Sequence, residues 1–274
     1  MRFRLTTWNI NSVRLRLDLV RRFVRQERPD VLCLQEIKCI EGKFPEAELA
    51  ALGFPHIAVA GQKGYHGVAI LSRLPFTLGE RRDICGRGHA RHLSIELGET
   101  NRTASPLILH NIYVPAGGDI PDPAVNDKFR HKLDFLEAMG AWFGAMRNKQ
   151  KARMIVVGDL NVAPLATDVW SHKQLLKVVS HTPEEVERFE RVLAAHDFID
   201  VMRRHVPPEE KLFTWWSYRN RDWRASNRGR RLDHIWTTPA LEGAAVSMKV
   251  LDKARDWQRT SDHVPVIADF VVGD

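Results

Sequence analysis

Short runs of Val, Ile and Leu alternating with polar residues recur along the chain, with the period of half-buried strands. They predict strands at Phe3–Asn9, Val31–Gln35, His56–Ala60, Val68–Ser72, His92–Leu97, Leu107–Tyr113, Met154–Gly158, Asp233–Thr237, Val246–Leu251 and Val264–Val271. Three segments keep a helical period instead. Ser12 can cap a helix whose apolar face is Val13, Leu17, Val20 and Val24, and Pro29 ends it. A second helix is expected from about Phe129 to Met146. A third runs from about Pro183 to His196, opened by Thr182 with Glu185 as a capping box. Many strands and few helices predict an α+β fold: two β-sheets packed face to face with helices outside, a four-layer α/β/β/α sandwich. A strict β-α-β alternation would predict a single parallel sheet, and this chain does not keep to it.

Nothing divides the chain. No repeat, low-complexity tract or Pro/Gly-rich linker interrupts its 274 residues, so 1–274 is expected to form one domain. No apolar run approaches the roughly 18 residues of a membrane span, and the N-terminus lacks the apolar core of a signal peptide. Cys33, Cys39 and Cys85 form no CxxC pair, which suggests a reducing, cytoplasmic setting. Charge adds more. Lys plus Arg is 41 against 34 for Asp plus Glu, a net +7, which favours polyanionic partners, nucleic acid before membrane. A merely soluble basic surface would give the same count.

Polar residues at the ends of buried strands are the candidates for chemistry, because functional groups gather at the rims of rigid sheets. Five places qualify. Asn9 and Asn11 close the first strand, and Glu36 follows the apolar run ending at Gln35. Tyr113 ends another strand, Asp159 and Asn161 stand two residues apart after Val157-Gly158, and Asp262-His263 leads into the last strand. Each has a bland reading alone: Asp-x-Asn is commonly a turn or a cap, and a lone Glu or His is commonly a solvated side chain. Together they form a set of carboxylate and amide oxygens suited to Mg²⁺ or Mn²⁺ rather than zinc, with no Cys/His cluster at zinc spacing.

The same residues carry a family resemblance. Trp8-Asn9-Ile10-Asn11-Ser12-Val13-Arg14, Leu34-Gln35-Glu36-Ile37-Lys38, Gly64-Tyr65-His66-Gly67-Val68-Ala69-Ile70, Tyr113-Val114-Pro115, Gly158-Asp159-Leu160-Asn161-Val162-Ala163, Arg231-Leu232-Asp233-His234 and Ser261-Asp262-His263 follow one another in order. The series resembles the exonuclease III family of abasic-site endonucleases, within the endonuclease–exonuclease–phosphatase superfamily, and spans nearly the whole chain. The resemblance implies one catalytic domain that cleaves DNA with a divalent metal. It implies that Glu36 is the principal Mg²⁺ ligand, with Asn9 beside it, and that Asp159, Asn161, Asp262 and His263 complete the metal neighbourhood. It further implies that Asp159 orients or deprotonates the attacking water and Asn161 positions water and phosphate. His263 would hold a phosphate oxygen with its ring fixed by Asp233, and Tyr113 would donate a hydrogen bond to the phosphate. Three departures stand out: Asn11 where animal relatives carry an aspartate, Ala116 where they carry an asparagine, and Arg230 where they use a tryptophan in the abasic pocket.

Between Arg219 and Arg231 there are six arginines and one acid, Asp222, interleaved with the tryptophans that begin at Trp215. Aromatic rings among guanidinium groups suit a nucleic-acid groove. Trp215 and Leu232 are expected to wall an abasic pocket, and the arginines, Arg219, Arg221, Arg224 and Arg230 among them, to meet DNA, with His263 on the phosphate. Lys128, Arg130 and Lys132 are expected to meet a backbone, and 117–123 to form a long loop. The expected activity is hydrolysis of the phosphodiester 5′ to an abasic site in duplex DNA, with 3′-5′ exonuclease and 3′-end-cleaning activities, by a monomer. The alternative is a nonspecific deoxyribonuclease or a phosphatase on the same scaffold.

Overall fold

A computed structural model describes residues 1–98, 106–146, 149–219 and 222–273. Its strands are β1 (Arg2–Asn9), β2 (Val31–Gln35), β3 (His56–Ala60), β4 (Val68–Ser72), β5 (Phe76–Leu78), β6 (His92–Leu97), β7 (Leu107–Tyr113), β8 (Arg153–Asp159), β9 (Ile199–Asp200), β10 (Trp215–Trp216), β11 (Gly229–Arg230), β12 (Asp233–Thr237), β13 (Ala245–Val250) and β14 (Val266–Val271). One sheet runs β13-β14-β1-β2-β4-β3 and the other β5-β6-β7-β8-β12-β9, with β10-β11 as a separate ribbon. Helices cover the outer faces, so the sandwich expected from the pattern is the fold observed.

The alternation along each strand decides which layer a side chain joins. Leu5, Cys33, Leu109, Ile155, Val157 and Ile235 point between the sheets and form the central core. Trp8, Leu32 and Leu34 point outward against Val20, Phe23 and Val24 of helix Leu17–Glu27. On the other side Val156 and Trp236 pack against Phe135, Met139 and Phe143 of helix Asp127–Ala145 and Phe189 and Val192 of helix Pro183–Ala195.

Each sheet holds one parallel pair, and these pairs fix where the chemistry goes. β1 and β2 run parallel with Asn9 opposite Gln35, and β7 and β8 run parallel with Tyr113 opposite Asp159. β12 and β14 run antiparallel to β8 and β1, so each begins where its neighbour ends. One rim therefore collects the ends of β1, β2, β7 and β8 together with the starts of β12 and β14.

The helix opened by Thr182 has the expected capping box with Glu185. Ser12 does not behave as expected. It lies at φ 82° rather than in the extended conformation of a cap, and the helix starts only at Leu17. A tertiary tie explains the delay: Ser12 N–H donates to the Glu36 carbonyl at 2.7 Å, and Val13 N–H to that of Ile37 at 3.3 Å. The last strand begins at Val266 rather than Val264, since Pro265 has no N–H to give and Val264 N–H goes to the Thr214 carbonyl. Loop 117–123 carries no regular element except a turn at its end. The three cysteines are free thiols. Among the described residues no helix is long and apolar enough to cross a membrane.

Beneath Trp142 lie two buried histidines that are expected to make the fold acid-sensitive. His92 Nδ1 accepts from Arg82 N–H at 3.1 Å, so its proton sits on Nε2 and points at His110 Nδ1, 3.0 Å away. Both acceptor nitrogens are occupied, and burial pushes the His92 pKa well down and that of His110 to about 3. A histidine depressed in the fold contributes stability above its unfolded value that is lost as pH falls. At pH 5 His110 should cost about 2 kcal/mol relative to neutral pH, and His92 adds a loss of the same sign. Urea unfolding at pH 7.5 and 5 should show this loss, and His110→Leu should reduce it by the His110 share, about 2 kcal/mol. An unchanged pH dependence in the variant would mean that His110 is not the group responsible.

Candidate active site

Glu36 leaves β2 at φ 49°, a left-handed conformation that turns its side chain into the rim. Its Oε1 accepts from Tyr113 Oη at 2.7 Å and Asn9 Nδ2 at 3.0 Å, and Lys38 Nζ pairs with Oε2 at 2.8 Å. Burial opposes its charge, but Lys38, Asn9 and Tyr113 outweigh burial and pull the carboxyl down to about 2. Tyr113 goes the other way. Burial and the negative charges of Glu36 and Asp159 push its phenol well up, so it remains a proton donor.

β8 ends in Gly158-Asp159, and glycine is required there. At φ 145° a Cβ would lie 1.8 Å from the Ile112 carbonyl oxygen of β7. Asp159 is buried and surrounded by donors. Oδ1 accepts from Asn161 N–H at 3.0 Å; Oδ2 accepts from Asn9 Nδ2 at 2.9 Å and Asn161 Nδ2 at 3.1 Å. Asn161, left-handed at φ 54°, donates further to the Val114 carbonyl, and its own carbonyl accepts from Lys132 Nζ at 2.7 Å. His263 Nδ1 lies 2.8 Å from Asp233 Oδ2 and its Nε2 lies 3.5 Å from Asp159 Oδ2. Burial disfavours an imidazolium, but Asp233 and Asp159 together outweigh it and raise the His263 pKa. Burial likewise raises the Asp159 carboxyl, with His263 pulling it back.

The rim opens into a cleft of about 550 Å³. Glu36, Asp159, Asn161 and His263 line it together with Trp170, Trp215, Arg219, Arg228, Arg230 and Leu232. Trp215 Nε1 donates to Asp262 Oδ2 at 2.9 Å, and Asn11 Nδ2 approaches Oδ1 at 3.2 Å, so Asp262 braces the aromatic wall. The Arg230 guanidinium carbon lies 5.2 Å from the Trp215 ring centre, and that of Arg228 lies 4.8 Å from Trp170.

The arginine run does not act as one surface. Arg231 is buried, with its guanidinium on Asp168 at 2.7 and 3.0 Å and on Asp200 at 2.6 Å, and so holds the fold rather than facing solvent. Arg224 stacks on Trp223 and pairs with Asp256, away from the cleft lining. Arg221 lies outside the described residues. Lys132 cannot meet a DNA backbone either: it is fully buried, paired with Glu185 and tied to Asn161.

Three neighbours of the rim escaped the sequence reading as functional candidates: Lys38 beside Glu36, and Arg91 and His66 beside Tyr113. Arg91 lies 4.7 Å from the Tyr113 ring centre, donates to the Tyr113 carbonyl at 3.2 Å, and places Nη2 2.8 Å from His66 Nδ1. Lys38 and His66 sit inside motifs already singled out, and both have positive φ.

Among the described residues, Asp159, Asp233 and His263 bring one ligand atom each within 4.8 Å of one another. Both imidazole nitrogens already face carboxylates there, which makes a hydrogen-bonded chain of them. Glu36 fits a hard divalent cation better: it is an anionic oxygen donor on the cleft, kept ionised by its neighbours.

Residues 6–263 match the Endonuclease/Exonuclease/phosphatase family. The chain belongs to that family. Its members depend on a divalent metal. Within the family the chain is 28% identical over 271 residues to exodeoxyribonuclease III of Haemophilus influenzae, covering 96% of this chain and 98% of that protein. An AP endonuclease structure from Archaeoglobus fulgidus superposes with a TM-score of 0.88 at 30% identity, over 98% of this chain and all of that one (100%). The 3′ phosphatase NExo from Neisseria, bound to product DNA hairpin, superposes with a TM-score of 0.85 at 29% identity, over 98% and 100% of the two chains.

Proposed function

We propose that this protein is a DNA repair nuclease that hydrolyses the phosphodiester 5′ to an abasic site in duplex DNA and leaves a 3′-hydroxyl. The same site degrades DNA 3′ to 5′ and removes 3′-blocking groups. One observation carries the reading: the buried Asp159–His263–Asp233 chain opens, beside an ionised Glu36, onto a cleft walled by tryptophans and arginines. The named activities of the relatives, an exodeoxyribonuclease, an AP endonuclease and a 3′ phosphatase on DNA, support it. All three reactions have water attack phosphorus and expel an oxygen.

Asp159 takes the proton of the attacking water, its carboxylate aimed by the amides of Asn9 and Asn161. His263, held as a cation by Asp233, faces a non-bridging phosphate oxygen with Nε2. Tyr113 turns its hydroxyl from Glu36 to the phosphate. Glu36 would hold Mg²⁺, or Mn²⁺ in its place, with Asn9 alongside. A cation bound there supplies stabilisation of the charge developing on the phosphate and the departing 3′ oxygen. Every one of these residues comes from one chain, consistent with a monomer on double-stranded DNA.

The test is an end-labelled duplex with a single tetrahydrofuran abasic analogue, incubated with Mg²⁺ and with EDTA. Cleavage immediately 5′ to the analogue, ending in a 3′-hydroxyl and abolished by EDTA, is expected. Uniform nicking of the duplex without regard to the analogue would favour a nonspecific deoxyribonuclease.

A further inference from the structure

A cation closed off from solvent lies next to Asn161. Lys132, on helix Asp127–Ala145, is fully buried, and its ammonium finds three oxygens for its three protons. It pairs with Glu185 Oε1, donates to the Asn161 carbonyl at 2.7 Å and reaches the Ala116 carbonyl at a longer 3.5 Å. Its aliphatic stem lies against Gly117, where a Cβ would come within 2.9 Å of Lys132 Cδ. One side chain thus joins the segment just past Tyr113, at the end of β7, to the segment just past Asp159, at the end of β8. Glu185 is equally committed. It is fully buried in the first turn of helix Pro183–Ala195, and its carboxylate also takes Ser180 N–H at 2.9 Å and Thr182 Oγ1 at 2.7 Å.

Burial works against the Lys132 charge, and the charges of Glu185 and Asp159 support it. A buried ion pair adds little net stability, since an apolar pair of similar volume often serves as well. What an apolar pair lacks is a donor for the two carbonyls. That of Asn161 matters most. Asn161 is held at φ 54°, a left-handed conformation that a non-glycine residue keeps only where its surroundings fix it. Fixed in this way, it donates its N–H to Asp159 Oδ1 at 3.0 Å. Its side-chain amide donates to Asp159 Oδ2 at 3.1 Å and to the Val114 carbonyl at 2.9 Å. A buried carbonyl left without a donor is costly, so without Lys132 the peptide would turn to find one, and the bonds to Asp159 would move with it.

Resting on the nuclease reading above, we propose that Lys132 is a positioning residue, which works through Asn161 to hold the Asp159 carboxylate in place. Glu185 anchors Lys132 from one helix, and Lys132 anchors the left-handed turn at Asn161 from another. Neither side chain has any exposed surface, so neither meets DNA. The pair therefore acts on the chemical step and not on binding.

The experiment follows cleavage of the tetrahydrofuran duplex under single turnover, with KM measured alongside. Lys132→Met combined with Glu185→Gln removes the ion pair and strands no charge, and the new amide oxygen can still accept from Ser180 and Thr182. This double variant should lower the rate by about a hundredfold, the cost of a small misplacement in a catalytic site, with KM unchanged. Lys132→Gln combined with Glu185→Gln puts back a donor for the Asn161 carbonyl and should recover part of the rate. In an Asn161→Ala background the Lys132→Met double variant should cost far less, because the amide it aims is gone. A rate left intact in the folded Lys132→Met double variant overturns the proposal. So does an equal loss in both backgrounds, the mark of a merely structural role, or a loss confined to KM, the mark of a DNA contact. If a thermal melt shows that variant unfolded, the Lys132→Gln double variant goes through the same cycle. A partial loss that shrinks with Asn161→Ala is then expected, and a wild-type rate or an equal loss in both backgrounds overturns the proposal. Hydrogen exchange at Asn161 N–H tests the link apart from the reaction: it should speed up in the folded variant, and unchanged protection overturns the link. A wild type that cleaves no duplex would refute the nuclease reading, and the exchange rate at Asn161 would still decide the positioning.

Discussion

Asp159→Asn is expected to lower the single-turnover rate of abasic cleavage by roughly a thousandfold, within the range of lost general-base catalysis. The side chain is buried among three N–H groups from Asn9 and Asn161, so the isosteric amide keeps the shape of the site. It cannot keep the charge. No group near the phosphorus is left to receive the water proton, and the amide oxygen still accepts from the N–H groups that now hold the carboxylate. His263 also loses one of the two carboxylates that hold it protonated. DNA affinity should respond in the opposite sense. Removing a negative charge from a cleft that receives phosphate favours binding, while the arginines lining the cleft are untouched. Binding of uncleaved duplex should therefore hold or tighten. Stopped-flow cleavage paired with a fluorescence titration separates the two quantities. If raising Mg²⁺ restored the variant's rate, Asp159 would act mainly as a ligand, and the assignment of a base would fall.

The rim was legible because strand ends are set by local pattern. β2, β3, β4, β6, β7 and β12 begin and end where their alternation does. Once β1 and β2, and β7 and β8, are paired in parallel and the two sheets are packed face to face, Asn9, Glu36, Tyr113 and Asp159 share one rim. Caps divided by the same criterion. Thr182 and Glu185 are three residues apart and satisfy each other, whereas the fate of Ser12 depends on the carbonyl of Glu36, across the sheet. Charge was hardest to read. Arg230 and Arg231 are chemically identical neighbours, and only Asp168 and Asp200, 63 and 31 residues before Arg231, decide which is buried. Lys132 likewise looks like a surface helix residue until Glu185 of another helix is placed over it. The buried link from Gln35 Nε2 to Thr7 Oγ1 at 2.9 Å and Asn111 Oδ1 at 2.7 Å was also hidden. Each residue sits at an inward position of its own strand, and their convergence needs both sheets. Local periodicity thus located the site, while pairing between distant residues decided which charges it uses.

Glu36→Gln should separate metal binding from the rest of the machinery. The substitution removes the charge that makes Glu36 a hard anionic ligand, and an amide oxygen is a poorer donor to Mg²⁺. The mutation of a partner one step removed from a metal typically costs 10–100-fold in affinity, so a direct ligand should cost at least roughly a hundredfold. The local structure should survive. Tyr113 Oη can donate to the new amide oxygen as it does to Oε1, and Lys38 keeps its bond to Asn11 Oδ1 at 2.6 Å. What changes is the electrostatic balance, because Lys38 loses the carboxylate it now neutralises and adds an uncompensated positive charge where the cation should go. Both effects have the same sign and weaken cation binding. Cleavage at low Mg²⁺ should collapse, and high Mg²⁺ or Mn²⁺ should recover part of the rate, in contrast to the Asp159 variant. The measurement is calorimetric Mg²⁺ binding to the free protein alongside cleavage rate against Mg²⁺ concentration. Lys38→Gln in the Glu36→Gln background should return part of the affinity by removing the stranded charge. Mg²⁺ affinity unchanged in Glu36→Gln would take Glu36 out of the metal site and leave Asp159, Asp233 and His263 as the carboxylate–imidazole group to examine for the ion.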